Sequence, residues 1–205
     1  MELLAGQPKP AQAAHFAILA QMASDDLFTT LFGARAIALL ETRNDFSHSH
    51  TSFLLADDAD CTVAGMLHAY PAQAARANSR RTLWLLLRYA RFQAPRLLAM
   101  AFLLRDVLDF LGESLEQDDF YISMLAIYPQ FRGAGLSKAL LTQAHRLAAS
   151  NYCARLVLDV DESNTVARAA YAAAGFQQID ASNEVRLGGD SIKLLRLAKP
   201  IKRAG

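Results

Sequence analysis

Between Phe120 and Ala149 three patterns follow one another without a break. Residues 120–128, FYISMLAIY, are β-branched and aromatic with apolar side chains on both faces, which predicts a buried strand. Residues 128–138, YPQFRGAGLSK, contain Gly133 and Gly135. Residues 136–149 place Leu136, Leu140, Leu141, Ala144 and Leu147 along one helical face. A buried strand running through a glycine turn into an amphipathic helix demands a covered sheet, and so an α/β (α+β) architecture.

The flanking sequence extends this frame. Residues 11–23 predict a helix whose inner face carries Phe16, Leu19 and Ala20, and a second helix is expected over about 26–42. SFLLADD and CTVAGMLHAY read as an antiparallel hairpin joined by the acidic DDAD turn. RLVLDV at 155–160 reads as a strand. Residues 164–174 read as a short alanine-rich helix ended by Gly175. FQQIDASNEVRLGGDSIKLLRL predicts a strand, a Gly-Gly turn and a strand, and the KPIKRAG tail is expected to fray.

Residues 72–117 differ in texture. They predict two helices, about 73–92 and 95–116, broken at Pro95. Seven arginines and no acid lie between Arg76 and Arg105, and six acids and no base between Asp106 and Asp119. Two solvated helix faces account for this segregation, and so does a basic surface beside an anionic ligand. The apolar surface of Trp84, Leu87, Phe92, Leu98 and Phe102 must pack on the sheet, on another subunit or around an acceptor.

Composition removes several classes. The chain has 205 residues, 53% hydrophobic and 20% charged, which excludes a disordered segment and suits a single domain over 1–205 with an insertion at about 72–117. A net charge of +1 gives no support to nucleic-acid binding. Leu83 to Leu111 is very apolar, but its longest uncharged stretch, Leu97 to Leu104, is far short of the ~20 residues of a membrane span. With no signal-like N-terminus and only Cys61 and Cys153, a cytoplasmic setting is expected, and no metal. The pair His48 and His50 lacks a third ligand nearby in sequence.

The chemistry concentrates at the glycine turn. The amide groups from Arg132 to Ser137 include the orphan donors of the following helix, and with the helix dipole they suit a phosphate or pyrophosphate. There is no P-loop and no dinucleotide fingerprint, and one G-x-G at a strand–helix junction fits a plain tight turn equally well.

The segment SMLAIYPQFRGAGLSKALL, with Gln130, Gly133 and Gly135 as Q-x-x-G-x-G after Leu125, Ala126, Ile127 and Pro129, resembles the main cofactor motif of the GCN5-related N-acetyltransferases, the GNAT superfamily. Downstream of RLVLDV, Asn164, Ala167, Tyr171, Gly175 and Phe176 resemble the family's asparagine-to-tyrosine helix and closing Gly-Phe. The resemblance covers 118–180 closely, 11–70 loosely and 72–117 not at all.

The resemblance implies a mixed, mostly antiparallel central sheet with two splayed parallel strands, here 120–128 and 155–160, and flanking helices. It implies acetyl-CoA or another acyl-CoA as co-substrate. Backbone groups at Leu125, Ala126 and Ile127 would meet the pantetheine arm. Gln130 belongs to the motif; Arg132, Gly133, Ala134, Gly135, Leu136 and Ser137 would take the pyrophosphate, with added charge from Arg132 and Lys138. Asn164 would touch the pantetheine or fix its loop, besides being a natural helix cap. Tyr171 would protonate the leaving thiolate, although by its residue type alone it reads as a packed core tyrosine. The strand amide near Ile127 is the candidate oxyanion donor.

The acceptor would be a small-molecule or protein amine, and the enzyme a monomer or homodimer. One departure stands out. Many relatives carry a glutamate on the first splayed strand, and Tyr121 to Ile127 contains no acid. Asp118, Asp119, Glu41, Asp45, His48, Asp159 and Asp161 remain as candidate bases. A non-catalytic acyl-CoA sensor or scaffold is the competing reading.

Overall fold

The computed structural model describes residues 3–5, 10–23, 50–57, 62–74, 105–106, 110, 115–187 and 190–201. The expected helix at 26–42, His48, Glu41, Asp45 and most of the 72–117 insertion lie outside the described residues.

The strands are β1 (Leu3–Ala5), β2 (Thr51–Asp57), β3 (Thr62–Pro71), β4 (Asp119–Ile127), β5 (Arg155–Asp161), β6 (Gln177–Ala181), β7 (Val185–Leu187), β8 (Asp190–Ile192) and β9 (Leu194–Pro200). The helices are α1 (Pro10–Ala23), α2 (Leu136–Ser150) and α3 (Thr165–Ala173). Seven strands form a sheet in the order β1-β2-β3-β4-β5-β9-β6, and β7 and β8 form a separate pair. The β4–β5 pair is parallel; β1–β2, β2–β3, β5–β9 and β6–β9 are antiparallel. The sheet is therefore mixed and mostly antiparallel, flanked by helices.

The described residues group into two compact units. In the first, α1 opens at Pro10, whose fixed φ and missing N–H suit a first helical position. Its Phe16, Leu19 and Ala20 pack with Phe53, Leu55, Val63, Met66 and Ala126. The expected hairpin is present, with Phe53 opposite Met66 and Leu54 opposite Gly65. Strand β3 is buried from Val63 to Ala69, so it reads as a continuous apolar run rather than an alternation.

In the second unit, Asp119–Ile122 of β4 pairs with Arg155–Leu158 of β5. Tyr121, Val157, Ala198, Ala72 and Leu115 form one cluster. Asn164 caps α3 by accepting from the Ala167 N–H at 3.0 Å. Gly175, at φ +89°, ends it, and Lys199 Nζ donates to the Ala174 carbonyl at 2.6 Å.

Three expectations change. The C-terminal region holds four strands rather than two: β7 and β8 pair with each other, while β6 pairs with β9 across the intervening residues. The tail does not fray at Lys199. Strand β9 runs to Pro200, and the buried Ile201 donates its N–H to the Ala154 carbonyl at 2.8 Å. Strand β1, unforeseen, pairs with β2.

Candidate functional site

Strand β4 sets the geometry of its own end. Tyr128 N–H donates to the Ala64 carbonyl at 2.9 Å, and the Ala126 carbonyl lies against Gly65. Successive residues of a strand turn their backbone groups to opposite edges. Ala126 and Tyr128 therefore face β3, and Leu125 and Ile127 face the other way. The ladder to β5 ends at the Ile122–Leu158 pair. Of the three residues expected to be unpaired, Ala126 is thus turned toward its neighbour strand. Leu125 and Ile127 lie beyond the end of that ladder. The Ile127 carbonyl accepts from Arg132 Nε at 3.1 Å.

A short 3-10 turn, Pro129–Phe131, follows. The Arg132 N–H donates to the Pro129 carbonyl at 3.2 Å, and the Lys138 N–H to the Gly135 carbonyl at 3.0 Å. Between them, the N–H groups of Gly133, Ala134, Gly135, Leu136 and Ser137 make no hydrogen bond among the described residues. The expected donor run therefore loses Arg132 and keeps five amides.

Gly133 and Gly135 sit at φ +82° and +73°, a region that L side chains enter at a cost of about 1–2 kcal/mol. An added Cβ at either would meet nothing within 4 Å, so neither glycine is there to relieve crowding. The two positive φ values curl the chain into the helix start, and Gln130 and Arg132 to Gly135 are all exposed. A curl of unpartnered amides at a helix N-terminus attracts an anion by hydrogen bonding and by the dipole together.

The other expected site residues belong to the second unit. Asn164 and Tyr171 lie seven residues apart, at the cap and in the last turn of α3. Tyr171 packs edge to face on Phe176, with ring centroids 5.9 Å apart. Its hydroxyl makes no hydrogen bond among the described residues. Burial pushes the phenol above its ordinary pKa, so it holds its proton at neutral pH and has one to give.

Three of the candidate bases are already engaged. Asp159 accepts from Arg196 Nε and Nη2 at 2.8 Å each and from the Tyr121 hydroxyl at 2.9 Å. The Arg196 side chain is 1% exposed, and Phe110 covers it, ring to guanidinium, at 4.5 Å. Burial opposes the charge on Arg196, but the Asp159 carboxylate more than offsets this and raises its pKa. Burial and then Asp159 push the Tyr121 phenol well above its ordinary value. Asp119 is buried and paired with Arg155. Asp161 accepts from the Ser163 N–H and hydroxyl. Asp119 and Asp159 have both oxygens engaged, and Asp161 has one.

Nothing in the sequence points to the pair His15 and Tyr128, which are 113 residues apart. His15 Nδ1 lies 2.8 Å from the Tyr128 hydroxyl, with the rings edge to face at 5.8 Å. Burial lowers the His15 pKa and raises that of Tyr128.

A profile described as the Acetyltransferase (GNAT) family matches residues 20–176, most of the chain. The chain belongs to the GNAT acetyltransferase family. The five-amide curl at Gly133–Ser137 lies within the matched residues. Comparison with curated proteins finds no match.

Solved GNAT-type structures share the fold. An N-acetyltransferase from Staphylococcus aureus Mu50 is 19% identical with a TM-score of 0.62, over 97% of this chain and 100% of that one. The ribosomal-protein-S18-alanine N-acetyltransferase of Escherichia coli is 14% identical with a TM-score of 0.57, over 100% and 97%. A ribosomal-protein-alanine N-acetyltransferase from Brucella melitensis is 14% identical with a TM-score of 0.58, over 98% and 99%. Among the described residues no helix is long and apolar enough to cross a membrane, and no group of three or more His, Cys, Asp or Glu side chains could hold a metal ion.

Proposed function

We propose that the protein is an acyl-CoA-dependent N-acyltransferase that moves an acetyl group from acetyl-CoA to an amine of a small molecule or protein. The observation that carries this reading is the run of five unpartnered amides, Gly133 to Ser137, in the family's cofactor motif. The diphosphate of CoA is the anion such a curl fits, and the open space beside Gly133 and Gly135 leaves room for it.

The Leu125 and Ile127 backbone groups receive the pantetheine amides, and the Ile127 N–H steadies the developing oxyanion. Ala126, its backbone turned to β3, contributes to the strand's shape rather than to a hydrogen bond. Gln130 and Arg132 flank the diphosphate. Arg132, which holds the Ile127 carbonyl, also fixes the strand's end. Asn164 keeps its cap while its side-chain amide stays available to the pantetheine.

The reaction is direct. The amine nitrogen bonds the acyl carbon, the C–S bond breaks, and Tyr171 gives its proton to the thiolate. The two relatives that acetylate ribosomal-protein alanine make a peptide α-amine one acceptor worth including beside polyamines and aminoglycosides.

The test is thiol release from acetyl-CoA with that amine panel. Turnover on at least one amine is expected, with kcat falling about 10²–10⁴-fold in Tyr171→Phe and CoA affinity unchanged. Tight CoA binding without turnover on any amine would instead favour a non-catalytic acyl-CoA sensor, the reading motivated by the acid missing from β4.

A further inference from the structure

The reaction above leaves one proton unaccounted for, the one lost by the amine. No carboxylate stands on β4 beyond Asp119; Asp119 and Asp159 are held by Arg155 and by Arg196 with Tyr121, Asp161 gives one oxygen to Ser163, and Asp118 precedes β4 at the end away from Ile127. One described pair in the first unit has the chemistry to take it. Tyr128 directly follows Ile127, the strand residue assigned to the thioester's oxyanion, and its hydroxyl lies 2.8 Å from His15 Nδ1.

Resting on the N-acyltransferase reading, we propose that Tyr128 and His15 form the proton relay that deprotonates the acceptor amine. As the nitrogen bonds the acyl carbon it becomes positively charged and acidic. Its N–H bond breaks and a proton passes, directly or through one water, to the Tyr128 oxygen. The Tyr128 O–H bond breaks in the same step, and its proton goes to His15 Nδ1. His15 ends as imidazolium, and Tyr128 regains a hydroxyl. The thiolate is protonated separately by Tyr171, so charge and protons balance.

The surroundings favour a neutral, receptive imidazole. His15 is half-buried, and burial disfavours its charged form. Helix α1 packs in one cluster with β2, β3 and β4. Of the titratable side chains on those elements, Tyr128 at the end of β4 touches His15, and His68 of β3 faces the neighbouring Phe16 with ring centroids 6.0 Å apart. The His15 ring makes no other hydrogen bond among the described residues, so nothing else claims its proton capacity. The tyrosine hydroxyl, closer to the strand's end, is the group that meets the substrate; the histidine is the sink behind it.

The experiment compares His15→Gln, Tyr128→Phe and the double variant on the fastest amine of the panel. Gln keeps a partner for the Tyr128 hydroxyl but cannot accept a proton, and Phe keeps the packing of Tyr128. Each single variant is expected to lose about 10²-fold in kcat, the double no more than either single, with the Kd for CoA within about twofold of wild type. In wild type, kcat/KM is expected to show one step below pH 6.5 besides the rise set by deprotonation of the amine itself, and the lower step is expected to vanish in His15→Gln. Circular dichroism at each pH confirms that the enzyme counted is folded.

If wild type turns over and both variants stay within about threefold of it with the acid step intact, the relay is wrong while the acyltransferase reading stands. Additive losses in the double variant would also overturn the relay. A wild type that transfers to no amine overturns both.

Discussion

Buried carboxylates whose charge is already committed to a partner make poor bases, and Asp159 is the clearest case. In sequence it stands on a strand next to the cofactor strand and looks available. In the fold its two oxygens hold Arg196 twice and Tyr121 once, with 4% of its side chain exposed. Among the described residues, one buried donor of Arg196, Nη1, has no partner. Removing the Asp159 charge would therefore strand a buried cation. Breaking such a pair from one side costs about 3–5 kcal/mol. Asp159→Asn is expected to lower the thermal midpoint by roughly 2–4 °C for each kcal/mol lost, measured by calorimetry. CoA affinity below the new midpoint is expected to be retained. A variant as stable as wild type would mean that the Arg196 charge finds its compensation elsewhere.

Elements with local signals were legible, and those defined by distant pairing were not. Helix α1, the β2–β3 hairpin, β4, α2, β5 and α3 all follow from periodicity and caps within ten to fifteen residues. Strand β1 has three residues, too few to show any period. The C-terminal region misled because the strands on either side of Gly188 and Gly189, β7 and β8, are short and pair with each other. The partner of β6 is β9, and nothing in Gln177–Ala181 encodes that choice. Gly65 belongs to the same class. In sequence it looks like a weakness inside a strand. In the fold, a Cβ there would stand 2.6 Å from the Ala126 carbonyl, a contact that backbone must move to relieve. Gly65→Ala is expected to destabilise by about 1–3 kcal/mol, read from urea unfolding. Because the shift falls on β4 beside Leu125 and Ile127, CoA affinity is expected to fall as well. An unchanged midpoint with weakened CoA binding would separate the two effects.

At the scale of the whole molecule, the motif located the curl of amides because backbone freedom at Gly133 and Gly135 is written into the sequence. The His15–Tyr128 pair was invisible because α1 and the end of β4 meet only after folding. The same burial that hides such histidines makes stability depend on pH. Burial, and next the charge of His50, pushes the His68 pKa down to about 3, although its hydrogen bond to the His50 backbone opposes this. Burial also lowers His50 and His15. Each of these residues has a folded pKa below its unfolded value near 6.5. Between those values the unfolded chain binds more protons than the folded one, so stability rises with pH. Their contribution is fully present above pH 6.5 and is lost as pH falls toward 3. The slope is at most about 1.4 kcal/mol per pH unit for each histidine. Thermal midpoints are therefore expected to be flat from pH 7 to 8 and to fall progressively from pH 6.5 to 4.5. Replacing His68 by Asn removes the largest single contributor, and although that variant starts less stable, its midpoint is expected to decline less steeply over the same range. An equal decline in both proteins would mean that protonation of His68 does not set the acid sensitivity.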